Sequence, residues 1–166
     1  GILAAIALPQ YQAAVLKSKF STVIQNVKTL KDAEEVFFLI NGYYTDDLTL
    51  LDAGITNCSV ESITGMGTGA TTVFICANDT AYRFQKQPAF NLYEIVGLYA
   101  PQQPLKAWGR ITYRQPLDIQ PDGKPLSTTP ASKRSRCRIN NTSDTAAAKV
   151  CDGLGRKAAA NDWMWE

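Results

Sequence analysis

A long amphipathic period constrains this chain more than any other feature. Between Tyr11 and Ile40 the residues Leu16, Phe20, Val23, Val27, Leu30 and Phe37 recur at intervals of three and four, with Glu34 the one polar member of that register. Ile24 widens the stripe, and Lys17, Lys19, Lys28, Lys31 and Glu35 mostly fall off it, so the segment predicts a helix with one apolar face. Asn41-Gly42 predicts its end, because both residues tolerate a left-handed backbone. Upstream, Ile2 to Leu8 is an uninterrupted apolar run without a charge. A membrane span needs roughly 20 apolar residues, so this run is too short to cross alone. A signal peptide would open with basic residues, and none precede it. The run reads as the tail of a longer hydrophobic helix that begins upstream, and Pro9 predicts a kink or break.

Beyond the helix the pattern changes. Tyr43 to Ala70 is a mixed segment with turn residues. Thr71 to Cys76, Ala81 to Lys86 and Phe90 to Tyr99 are rich in β-branched and aromatic residues, and Ala77-Asn78-Asp79-Thr80 forms a turn between the first two. A fourth strand is expected from Leu105 to Tyr113. The brief connections predict a short antiparallel meander, because parallel pairing requires crossovers. After Arg114, prolines 116, 121, 125 and 130 and the turn Asp122-Gly123 predict a loop-rich region, which ends near Trp163-Met164-Trp165. The expected fold is α+β: a long N-terminal helix, residues 1–42, on a short antiparallel sheet in a globular head, residues 43–166. No internal repeat or linker divides the chain, and 166 residues suffice for one core.

Composition narrows the chemistry. There is no histidine, which removes the commonest general base and metal ligand. Serine and cysteine nucleophiles therefore lack their usual partner, and no enzyme activity is expected. The four cysteines, Cys58, Cys76, Cys137 and Cys151, contain no C-x-x-C pair; they suit two disulfides and an oxidising compartment. Of the three connectivities, Cys58–Cys76 with Cys137–Cys151 closes one short loop in each region and is expected. Gly65-Met66-Gly67-Thr68-Gly69-Ala70 matches G-x-G-x-x-A, but it precedes an apparent strand instead of opening a helix, so it reads as a turn. Asp46, Asp47 and Asp52, and Asp118 with Asp122, lack the alternation of a calcium loop and read as solvated charges, leaving no cofactor or metal. The Asn-x-Ser/Thr sites at Asn57, Asn78, Asn140 and Asn141 carry little weight.

One local charge asymmetry stands against a net charge of only +2. Lys133, Arg134, Arg136 and Arg138 cluster, joined by Lys149, Arg156 and Lys157, with Asp144 and Asp152 the only acids between residues 133 and 157. The alternation of Arg134, Arg136 and Arg138 fits an extended segment with its cations on one face. Two readings stay open: a patch for DNA, host glycans or anionic cells, and a face that is solvated or pairs with acids of a neighbouring subunit.

Gly1-Ile2-Leu3-Ala4-Ala5-Ile6-Ala7-Leu8-Pro9-Gln10-Tyr11 closely resembles the second part of the N-terminal helix of type IV pilins and the related type II secretion pseudopilins. The likeness covers the first dozen residues at motif level, and the remainder agrees in layout. In that family the helix begins further upstream, with a prepilin peptidase site, an N-methylated aromatic residue and a glutamate; none of these lies in this sequence. The resemblance implies a pilin lacking its extreme N-terminus, with Ile2, Leu3, Ile6, Leu8, Pro9 and Tyr11 in the filament core. It further implies a homopolymeric helical filament, an inner-membrane stage before assembly, an assembly machinery with a separate ATPase, and an extracellular location on the cell surface. The implied roles are surface attachment, twitching motility or DNA uptake, and the segment from Gly1 to Pro9 is expected to be broken or non-helical in an assembled pilus. A pseudopilin of a type II secretion system is the alternative, and an unrelated secreted binding module a distant third.

Overall fold

The computed structural model describes residues 2–64, 70–87, 91–101, 109–126 and 134–165. Helix α1 spans Ile2–Asn41 and is followed by a 3-10 turn at Leu48–Leu50. Strands β1 (Cys58–Thr64), β2 (Ala70–Cys76), β3 (Thr80–Gln87), β4 (Leu92–Tyr99), β5 (Ile111–Pro116) and β6 (Ser135–Ile139) come next. Helix α2 (Thr145–Asp152) then leads into β7 (Arg156–Ala159) and β8 (Asp162–Trp165). The strands form one antiparallel sheet in the order β1-β2-β3-β4-β5-β6-β8-β7.

The predicted stripe meets this sheet. Leu16, Phe20, Val23, Val27 and Leu30 are buried in one cluster with Phe74, Tyr82, Ile95, Ile111 and Tyr113. Gly97 sets how closely α1 approaches β4. A Cβ built there would lie 2.7 Å from Val23 Cγ1 and closer still to Val27 Cγ2. Side chains alternate along a strand, so Tyr93, Ile95 and Tyr99 share the helix-facing side with Gly97, and Glu94, Val96 and Leu98 point away. That far side carries a second buried cluster of Val73, Ala81, Leu98 and Ala100.

Turn chemistry fixes the register. Asn78 and Asp79, in a three-residue connection with Ala77, both adopt positive φ (65° and 61°), a backbone that Asn and Asp tolerate better than most residues. They join β2 to β3, where Cys76 pairs with Thr80. Gly42, at φ 78°, ends α1, and its N–H donates to the Phe38 carbonyl at 2.8 Å.

The α+β layout is as expected, but the sheet is not short. It has eight strands, because the region expected to be loop-rich supplies β6, β7 and β8, and the mixed segment supplies β1. Of these, β6 and β8 have neighbours on both edges, while β1 and β7 are edge strands, each held by a single adjacent strand. The fourth expected strand lies at Ile111–Pro116, not Leu105–Tyr113; residues 102–108, and Phe90 of the third, lie outside the described residues, as do the glycines 65–69. Pro9 does not break α1. A proline's fixed φ is itself helical, so the ring costs a hydrogen bond and strains the preceding turn without forcing the backbone out of the helix. Phe37 is only half-buried; it leans edge-on against Tyr43 at 5.6 Å while Glu34 takes the buried position.

The disulfides join Cys58 to Cys76 and Cys137 to Cys151. The first links directly opposed residues of β1 and β2. The second ties β6 to α2, with both cysteines fully buried. Asp144 caps α2 by accepting from Ala147 N, and Arg110 Nε holds the same carboxylate at 2.6 Å. That contact, acting first, keeps the Asp144 carboxyl below its ordinary range. Trp163, fully buried on β8, donates from Nε1 to Asp152 at 2.5 Å.

Candidate functional site

Helix α1 outruns the head that it packs on. Among its described side chains Leu16 is the first that is buried, and every one from Leu8 to Gln12 is exposed. Leu8 is 59% exposed and Tyr11 68%, with Val15 also open to solvent. The backbone remains helical to Ile2, so an arm of helix, about 16 Å at 1.5 Å per residue, precedes Ala13, the first described residue packed against the core. The side chains of Ile2, Leu3 and Ile6 lie outside the described residues. Among the described residues no helix is long and apolar enough to cross a membrane.

Within the head, α1 is fixed by carboxylates at its C-terminal end. Glu34 is fully buried; one oxygen accepts from Thr45 N at 3.2 Å and the other has no hydrogen-bond partner among the described residues. Burial pushes its carboxyl up to about 7, with Glu35 and Asp46 adding to the rise and the Thr45 N–H opposing it. Glu35 accepts from the Tyr44 hydroxyl at 2.6 Å, from Asp118 N at 2.8 Å and from Lys31 at 3.3 Å. Lys31 also reaches Asp118 at 3.0 Å. Burial disfavours the Lys31 charge, but these carboxylates outweigh it and raise its pKa. The arm is therefore the extension of a helix clamped to the head from Leu16 onward.

The basic cluster does not form a simple exposed strip. Strand β6 places Arg136 opposite Arg114, and Arg138 opposite both Thr112 and Asp162. Arg136 Nη2 lies 2.5 Å from Glu94 Oε1, and Arg114 Nη1 lies 3.5 Å from Glu94 Oε2. Gln87 donates to Glu94 at 3.0 Å. Glu94, Arg114 and the neighbouring Arg83 are buried. Burial, followed by the Arg114 charge, lowers the Arg83 pKa to about 10. Arg134 and Arg138 are half-buried, and Lys133 lies outside the described residues. The exposed cations of the tail are Lys149, Arg156 and Lys157, the last set 5.2 Å above the Trp163 ring. Glu94 was invisible to sequence reasoning because its partners arrive from strands 20 and 42 residues away.

Three of the acids considered for calcium hold side-chain or backbone partners. Asp47 caps the 3-10 turn through Thr49, Asp118 pairs with Lys31, and Asp122 holds Lys124 N. Asp46 and Asp52 are exposed.

No family model, curated protein or solved structure matches this chain.

Proposed function

We propose that this chain is a structural subunit of an extracellular type IV pilus and that it works by assembly. The α1 arm carries the reading: an apolar helix that stands clear of a well-packed head, with Leu8 and Tyr11 in water, gains stability only when another surface covers it. The likeness of residues 1–11 to the pilin helix supports the same conclusion, as does the layout of helix, antiparallel sheet and disulfide-tied tail. The two disulfides fit a compartment outside the reducing cytoplasm. On this reading the partners are other copies of the chain, the inner membrane before assembly, and the assembly machinery.

Imaging cells with and without the chain tests the proposal. Surface filaments that are lost on deletion, and that carry antibody label against the head along their length, are the expected result. Label confined to short structures that do not leave the envelope would favour the secretion pseudopilin. A monodisperse secreted monomer with unaltered filaments would refute both.

A further inference from the structure

The two disulfides sit in different surroundings. Cys137 and Cys151 are fully buried between β6 and α2. Cys58 and Cys76 are only half-buried, and they join β1, an edge strand with a single neighbour, to β2. Cys76 shares the helix-facing side of β2 with Phe74. There it lines an open groove of about 420 Å³ between α1 and the β2–β3 turn. Ser18, Lys19, Thr22 and Asn26 form the helix wall, and Asn57 and Asn78 stand on the other. Lys19 is exposed, and no carboxylate among the described residues lines the groove.

Strand β1 leans on that bond. Ser59, Val60, Glu61 and Ser62 are exposed, so the strand buries few side chains of its own. Among the described residues it is kept by its ladder to β2, by Ala77 N donating to the adjoining Asn57 carbonyl at 3.0 Å, and by the Cys58–Cys76 link that pins the register. A disulfide opens when a thiolate reaches one of its sulfurs, so access decides which bond of a folded protein exchanges. A thiol can come to Cys76 along the groove, where the Lys19 ammonium favours its thiolate form. Cys137 and Cys151 are met only after the core opens.

We propose that Cys58–Cys76 is a site of thiol–disulfide exchange with a dithiol partner in the folded chain, and that opening it loosens β1 from the sheet. The partner's thiolate attacks Cys76 Sγ, the S–S bond breaks, and Cys58 leaves as a thiolate that takes up a proton. The partner's second thiolate then attacks the partner's own sulfur in the mixed disulfide and releases Cys76, which is protonated in turn. The chain gains two electrons and two protons, and the dithiol becomes a disulfide. An oxidised partner runs the same steps backward. The inference stands apart from the filament reading, because it needs only the head.

Dithiothreitol, a small dithiol, tests it on the oxidised full chain under native conditions. Free thiols are alkylated with one mass label, the remaining disulfides with a second after denaturation and reduction, and peptide mapping locates both. Cys58 and Cys76 should take the first label roughly tenfold or more faster than Cys137 and Cys151, at a rate proportional to dithiothreitol. Lys19→Glu, at an exposed position, should slow the Cys58–Cys76 reaction several-fold and leave the other pair unchanged. In the half-reduced chain the β1 amides should exchange roughly tenfold faster or more, with α1 and β3 to β5 unaffected. Equal labelling of both pairs, at a rate independent of dithiothreitol, would mean reduction only through unfolding and would overturn the site. An unchanged rate in the Lys19→Glu chain would overturn the approach along the groove, and unchanged β1 exchange would overturn its loosening.

Discussion

Replacing Glu34 with Gln should change how the fold responds to pH. Burial lifts this carboxyl from its ordinary 4.5 to about 7. Between those values the folded chain binds more protons than the unfolded chain. The stability contributed by protonated Glu34 is therefore complete below about pH 4.5 and is lost as pH rises through 7. At about 1.4 kcal/mol for each pH unit, the total across that span is about 3 kcal/mol. The window is unusually clean, since the chain has no histidine to titrate within it. A glutamine keeps the shape and an oxygen to accept from Thr45 N but carries no charge at any pH. Urea or thermal denaturation at pH 5, 6, 7 and 8 would compare the two proteins. Their stabilities should nearly coincide at pH 5 and diverge above it. At pH 8 the variant should be more stable by up to about 3 kcal/mol, or roughly 6–12 °C in Tm for a chain of this size. Parallel pH profiles, or a variant less stable at pH 8, would refute the assignment of a buried, protonated Glu34.

Other substitutions probe the packing. Gly97→Ala drives a methyl into Val23 and Val27 and should lower stability by about 1–3 kcal/mol in denaturant titration. Glu94→Ala strips the acid from between buried Arg114 and Arg136 and should cost about 3–5 kcal/mol; a loss below about 1 kcal/mol would mean that the arginines are held by other groups. Cys137→Ala with Cys151→Ala opens a 14-residue separation and should cost about 3 kcal/mol, visible as a lower thermal midpoint under oxidising conditions.

The legible parts of this fold are those in which each residue's environment follows its neighbours in sequence. Leu16 to Leu30 share one stripe and one environment, and β2 and β3 are joined by Asn78-Asp79, whose positive φ values suit those residue types. The missed strands break that link. Strand β1, Cys-Ser-Val-Glu-Ser-Ile-Thr, alternates weakly, and β7 is exposed at every residue, so neither shows a burial period. Their pairing is imposed by the adjacent strand. The same holds for charge. Arg136 looks like a solvent cation in sequence but meets buried Glu94 from β4. Glu34 was visible as the polar member of an apolar stripe, although its partner Thr45 lies past the turn at Gly42. On the arm, Leu8 and Tyr11 stood out through their likeness to the pilin helix. Exposed Val36, Leu39 and Ile40 near the other end of α1 were not singled out, because the core stripe dominates the periodicity of that segment.

A helical reconstruction of filaments containing this chain tests the central claim most directly. The account predicts α1 arms, with Leu8 and Tyr11, packed together at the filament axis, and heads facing outward through the sheet and the Cys137–Cys151 tail. A map that leaves the arm on the outside, or that places no copy of this chain in the filament, would contradict it.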